Sequence, residues 1–162
     1  MKRAMICGSF DPVTNGHMNL IARTAALFDE VVVGVFENTE KRYCFTGEAR
    51  ARMLREACRQ TGLDTVRVEL CSGMVAHYAR EHHIDVIVKG ARTGADFEYE
   101  KMICEANKLV YPQVETLIMP AEPRFGAVSS TMVRELIKYG EDITTLVPQA
   151  VCDELKARAN KD

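Results

Sequence analysis

The stretch Gly8 to Leu20, GSFDPVTNGHMNL, sets a hydroxyl, a carboxylate, small turn residues and an imidazole close together. It follows a short apolar run, AMIC, and leads into a helical pattern, so His17 falls in the first turn of a helix. A helix start gathers unpaired N–H groups and partial positive charge, the ordinary setting for phosphate. Ser9 can donate a hydrogen bond to a phosphate. Gly8 allows the backbone to approach a ligand closely, and Gly16 leaves room above the helix start. The chemistry that fits is the handling of phosphates. No GxGxxG and no GxxxxGK(S/T) occurs, which excludes the dinucleotide fingerprint and the P-loop.

Three later segments add candidates. In KGARTGADFEYE, Gly90, Ala91 and Arg92 read as a turn, and Arg92 can fork two hydrogen bonds to phosphates. Asp96 reads as an N-cap or first-turn charge, with Glu100 one turn on. In RFGAVSSTMVRE, Ser129 and Ser130 offer hydroxyls and N–H groups at a helix start, one of them also a cap. In ENTEKRYCFT, Lys41 and Arg42 lie in what reads as an ordinary solvated run.

The elements that must position these segments alternate. RAMICG, EVVVGVFE, TVRVEL, DVIVKG and ETLIMP read as strands. Helical patterns cover Gly16–Phe28, with Leu20, Ile21, Ala25 and Leu27 or Phe28 inward, then Thr46 (N-cap) to Gly62, Met74–His82 and Phe97–Val110. A fifth runs from Ser130 to Gly140, and a last helix has Pro148 in its first turn. These β–α units predict one α/β domain over residues 1–162, a doubly wound parallel five-stranded sheet (Rossmann-like) with a C-terminal helix. Such sheets bind ligands beyond the carboxyl ends of their strands, where all four segments fall.

The chain has 162 residues, 47% hydrophobic and 27% charged, with a formal charge of −2. That excludes a broad nucleic-acid surface. No apolar run approaches the ~20 residues of a membrane span, and the apolar run after Met1 is too short for a signal peptide. The expected location is the cytoplasm. Six cysteines without a CxxC pair read as thiols of a reducing compartment, and His82-His83 as a surface turn.

SFDPVTNGH resembles the first loop of the nucleotidylyltransferase superfamily, S/T-F-D-x-x-T/H-x-G-H, and VSSTMVRE resembles its Ser/Thr-rich turn before a late helix. FDPVTNGH, FTGEAR, KGARTGADFEYE and VSSTMVRE together look like the bacterial phosphopantetheine adenylyltransferases, over Arg3 to about Leu155. The resemblance implies transfer of the AMP part of ATP to 4′-phosphopantetheine, giving dephospho-coenzyme A and pyrophosphate in the penultimate step of coenzyme A biosynthesis. It also implies Mg2+ held mainly by ATP phosphates and water, a cytoplasmic homohexamer, and feedback by coenzyme A. Carried over by matched position, the catalytic residues are His17, Lys41 and Arg92. ATP binding falls to Ser9, Phe10, His17, Gly90, Ala91, Arg92, Glu100 (on the adenosine side), Phe125, Gly126, Ala127, Val128, Ser129, Ser130 and Thr131. Ser9, Lys41, Val75 and Lys89 are implied for the acceptor.

The chain departs from the family pattern at four places. Ser9 replaces Thr and keeps its hydroxyl. Cys7 replaces a proline, an expected loosening of the turn. His77 replaces an aspartate. Lys89 replaces an arginine, which keeps the charge but loses the fork. Two rival readings stay open. One is another nucleotidylyltransferase, using CTP or nicotinamide mononucleotide, although RFGAVSST differs from the cytidylyl pattern RTEGISTS. The other is a non-catalytic nucleotide-binding regulator on the same fold.

Overall fold

The computed structural model describes residues 1–37 and 41–160. All five strand readings are realised, with ends shifted by at most a residue: β1 (Arg3–Gly8), β2 (Glu30–Phe36), β3 (Val66–Cys71), β4 (Val86–Ala91) and β5 (Glu115–Pro120). They form one parallel sheet in the order β3-β2-β1-β4-β5. The β-branched run of β2 is buried on both faces, as a central parallel strand requires. The helices are α1 (Asn15–Ala25), α2 (Gly47–Gln60), α3 (Val75–Glu81), α4 (Gly94–Val110), α5 (Ser130–Lys138) and α6 (Gln149–Ala159). One core gathers side chains of α1, α2, α5 and α6 against the sheet. A smaller one lies on the opposite face, beneath α3 and α4, around Met5, Val32, Ala79, Ile87 and Val114.

Three element readings need correction. Helix α4 starts at Gly94, a turn before Phe97, because Thr93 and Asp96 form a capping box ahead of the apolar run. Pro148 is the N-cap of α6 and not a first-turn residue, its extended backbone preceding the helix. Gly90 and Ala91 are the last residues of β4 and not a turn, since their pairing to Met119 and Pro120 continues the ladder. Phe28 packs against the core, whereas Leu27 is exposed. Thr46 and Gly62 bound α2 as expected, Gly62 at a φ of 70° that suits glycine.

The sheet opens where the site lies. β1 pairs with β2 along its whole length, from Arg3 to Gly8, but with β4 only from Ala4 to Ile6. Beyond Ile6 and Val88 the two strands part. Because chain order reverses there, α1 covers one face of the gap and α4 the other.

Candidate active site

A cavity of about 650 Å3 fills the gap, floored by Ile6, Cys7, Gly8, Val88, Lys89 and Gly90. Of the predicted residues, Ser9, Phe10, His17, Lys41, Lys89, Gly90, Arg92, Glu100, Phe125, Val128, Ser129, Ser130 and Thr131 line it. Ala91, Gly126, Ala127 and Val75 are not in its wall. Val75 packs against the smaller core at the start of α3. Lys41 follows residues 38–40, which lie outside the described residues.

The histidine is fixed by a helix cap. Thr14 is the N-cap of α1, and His17 takes the place that Glu or Gln holds in an ordinary capping box. The Thr14 backbone N–H donates to His17 Nδ1 at 3.0 Å, and the His17 N–H donates to Thr14 Oγ1 at 3.3 Å. An Nδ1 that accepts leaves the proton on Nε2, so a neutral ring offers one N–H donor. Burial, with the positive charges of Arg92 and Lys89, pulls the His17 pKa down to about 4. The Phe10 ring meets the imidazole edge-on at 5.0 Å. Phe10 itself is buried and lies against Gly8, where a Cβ would come within 3.3 Å of its ring. It thus packs against both His17 and Gly8.

Lys89 extends from β4 beneath α4. Its Nζ lies 3.2 Å from Glu100 Oε2 and 3.5 Å from the Cys7 carbonyl. Burial disfavours its ammonium, but the ion pair with the Glu100 carboxylate favours it, and its pKa is raised. Glu100 Oε2 is buried without a hydrogen bond, compensated by that ammonium. Cys7 belongs to β1, paired opposite Gly34, so its replacement of a proline loosens no turn. Burial pushes its thiol pKa up, which keeps it neutral and inert.

Arg92 bridges two loops, donating from Nη1 to the Val128 carbonyl at 3.2 Å and from Nε to Asp96 Oδ2 at 3.2 Å. Asp96 is the first-turn cap of α4, as its sequence position indicates. Ser129 caps α5 through Met132 N–H, and Ser130 Oγ donates to the Pro12 carbonyl at 2.8 Å. The late loop is thereby tied to the first.

Reading the sequence for motifs misses several wall residues. Arg42 is exposed, as its solvated run implies, and also lines the cavity, because Cys44 and Phe45 just after it are held against the first loop by Asp11. Arg134 also lines it, with Nη1 on the Asp11 carbonyl at 2.7 Å and Nη2 on Thr131 Oγ1 at 3.1 Å. Its spacing from Ser130, one helical turn, was the available signal. Arg23 and Tyr99 also line the wall, and neither had a sequence cue. Cations on this wall outnumber carboxylates: Arg23, Lys41, Arg42, Lys89, Arg92 and Arg134 against Asp11, Asp96 and Glu100. The arrangement suits a polyphosphate that meets a second phosphate.

Residues 5–136 match the cytidylyltransferase-like family. The chain is 43% identical over 156 residues to a phosphopantetheine adenylyltransferase of Shouchella clausii, covering 96% of this chain and 97% of that protein. It is 39% identical over 153 residues to the one of Finegoldia magna, covering 94% and 93%, and 41% identical over 161 residues to the one of Frankia alni, covering 98% and 99%. A solved structure of a provisionally assigned nicotinate-nucleotide adenylyltransferase from Vibrio parahaemolyticus superposes with a TM-score of 0.70. It is 16% identical, covers 97% of this chain and 93% of its own, and carries the fold alone. The chain thus belongs to the cytidylyltransferase-like nucleotidyltransferases and, within them, to the phosphopantetheine adenylyltransferases.

Proposed function

We propose that this enzyme transfers the adenylyl group of ATP to 4′-phosphopantetheine, giving dephospho-coenzyme A and pyrophosphate. The observation that carries the mechanism is the neutral His17, fixed with its Nε2–H free in a cavity ringed by cations. An acceptor phosphate is mostly dianionic near neutral pH, its second pKa being about 6, so it attacks without a general base. An acceptor oxygen forms a bond to the ATP α-phosphorus as the bond to the bridging oxygen of the β-phosphate breaks. The electron pair leaves with pyrophosphate. His17 donates to the α-phosphate as charge builds, Lys41 and Lys89 hold the acceptor phosphate, and Arg92 with the start of α5 holds the leaving phosphates.

Asp11 and Asp96 are engaged with backbone N–H groups, and Glu100 faces Lys89. That leaves Mg2+ to ride on the ATP phosphates and water as part of the nucleotide substrate. The apolar side chains at the carboxyl end of β3 and the start of α3, Leu70, Met74 and Val75, suit the pantetheine arm. Coenzyme A carries that arm and an adenylate, so the same cavity suits it as a competing inhibitor. Exposed Phe97, Met102 and Leu109 on α4, with Leu117 on the edge strand β5, support assembly with further copies into a homohexamer. All six cysteines are free, which supports a reducing, cytoplasmic location. Among the described residues no helix is long and apolar enough to cross a membrane.

The test is pyrophosphate release from MgATP with 4′-phosphopantetheine, glycerol 3-phosphate and nicotinamide mononucleotide offered separately. Release only with phosphopantetheine, matched by dephospho-coenzyme A, is the expected result. Release with another acceptor overturns the substrate, and ATP binding without release overturns the activity. The site also predicts the outcome of Lys89→Arg. Glu100 Oε2 lacks a hydrogen bond that a forked guanidinium would supply. The variant should keep turnover and keep or lower the KM for phosphopantetheine. A raised KM would show that the ammonium is fitted to this pocket.

A further inference from the structure

Helix α2 carries a fully buried arginine, Arg50, with a relative exposure of 0%. It is in the first turn, after the N-cap Thr46, and reaches the carboxyl end of the sheet. Its Nη1 donates to the Ser9 carbonyl at 2.6 Å and to the Phe36 carbonyl at 3.3 Å. Nε donates to the Phe45 carbonyl at 3.2 Å, and Nη2 to Glu37 Oε1 at 3.0 Å. The guanidinium also lies 4.1 Å from the centre of the Tyr43 ring. Gly47, one turn earlier, leaves the Glu37 carboxylate its place, since a Cβ there would strike it.

These contacts fall on both sides of Lys41. Phe36 and Glu37 precede it, Tyr43 and Phe45 follow it, and Ser9 belongs to the loop after β1. A buried ion pair is weak ground for stability, because an apolar side chain often serves as well. An apolar side chain would not hold three separate carbonyls at fixed distances. A planar fork of five donors does.

We infer that Arg50 is a positioning residue that holds the Lys41 segment against the Ser9 loop, so that the acceptor phosphate and the ATP phosphates meet at the reacting distance. Arg50 lies outside the cavity wall and touches no substrate. It acts through Lys41 and Ser9, and the inference rests on the role given to Lys41 above.

The test is a double-mutant cycle on the full-length enzyme with Lys41→Ala and Arg50→Lys. Kinetics are measured for each substrate, and folding is checked by circular dichroism. Lysine keeps the charge and loses the fork. Arg50→Lys should lower kcat about tenfold and leave the KM for ATP within about threefold. Lys41→Ala should cost about tenfold or more in kcat, and the double variant should cost no more than Lys41→Ala alone. Multiplied losses would overturn the inference and leave Lys41 in place. Lys41→Ala with unchanged kcat would overturn the reading of Lys41 and the inference with it. Should Arg50→Lys fail to fold, Glu37→Gln replaces it, because Glu37 is half-exposed and Arg50 keeps its carbonyl contacts. That variant should lower kcat about threefold, again with no added loss beside Lys41→Ala. An unchanged kcat, or a multiplied loss, would overturn the inference by this route as well.

Discussion

His17→Ala should lower turnover by about two orders of magnitude or more, with ATP affinity nearly unchanged. The asymmetry follows from the timing of the contact. On the proposed reading, Arg92 and the N–H groups at the start of α5 hold the nucleotide in the ground state, and one neutral donor adds little. As the α-phosphorus becomes five-coordinate, charge builds on its oxygens, and a fixed N–H aimed at them is worth about 3 kcal/mol. Alanine also removes half of the helix cap, which costs about 0.5–1 kcal/mol of stability. His17→Gln separates the two effects, because glutamine is an ordinary capping-box residue that can accept from the Thr14 N–H. It should restore the melting temperature and recover only part of the rate. Unchanged turnover in His17→Ala would remove the residue from the mechanism.

The same site sets a pH dependence. In the free enzyme the His17 ring stays neutral down to about pH 4. Its 15N shifts should report the Nε2–H tautomer across the range in which an ordinary histidine titrates. Between the ordinary pKa of about 6.5 and the folded value, the unfolded chain binds a proton that the folded chain refuses. His17 therefore makes stability fall as pH drops through that window. kcat/KM for the acceptor should fall below about pH 6, as the substrate phosphate takes up its second proton. A rate that rose on acidification would mean a protonated imidazole is needed.

Local features of the fold and site were legible in the sequence, and long-range ones were not. Short apolar runs rich in β-branched residues announced the strands, and Thr46, Gly62 and the Ser129-Ser130 pair announced helix ends, because these signals lie within a few residues of what they control. His17 was legible for the same reason: its place depends on Thr14, three residues away. Asp11 and Arg50 were not. Their partners, Cys44 and Phe45 for one and Ser9 for the other, are distant in sequence, and nothing local marks a charge for burial. Arg42 shows the converse. Its run is solvated in composition, yet Asp11 and Arg50 draw that segment to the cavity.

Asp11→Ala should cost about 3 kcal/mol of stability. Asp11 is only 2% exposed, and it follows Ser9 and Phe10 where a motif reader would look for catalysis. Its carboxylate is taken up by backbone donors: Oδ2 accepts from the Cys44 N–H at 2.8 Å and Oδ1 from the Phe45 N–H at 2.9 Å. Alanine leaves both donors without an acceptor. The Phe45 N–H is buried and bears the full penalty of about 1–3 kcal/mol, while the part-buried Cys44 N–H recovers some by reaching water. Loss of the charge-assisted bonds adds to this. For a chain of this size the sum corresponds to a melting-temperature drop of about 10 °C, read at fixed protein concentration because assembly shifts the midpoint. Asp11→Asn keeps one acceptor oxygen and turns an amide toward the other N–H, so it should lose about half as much. A melting temperature for Asp11→Ala within about 2 °C of the parent would mean that water satisfies both donors, with the 44–45 segment still held by Arg50, Arg158 and the burial of Phe45.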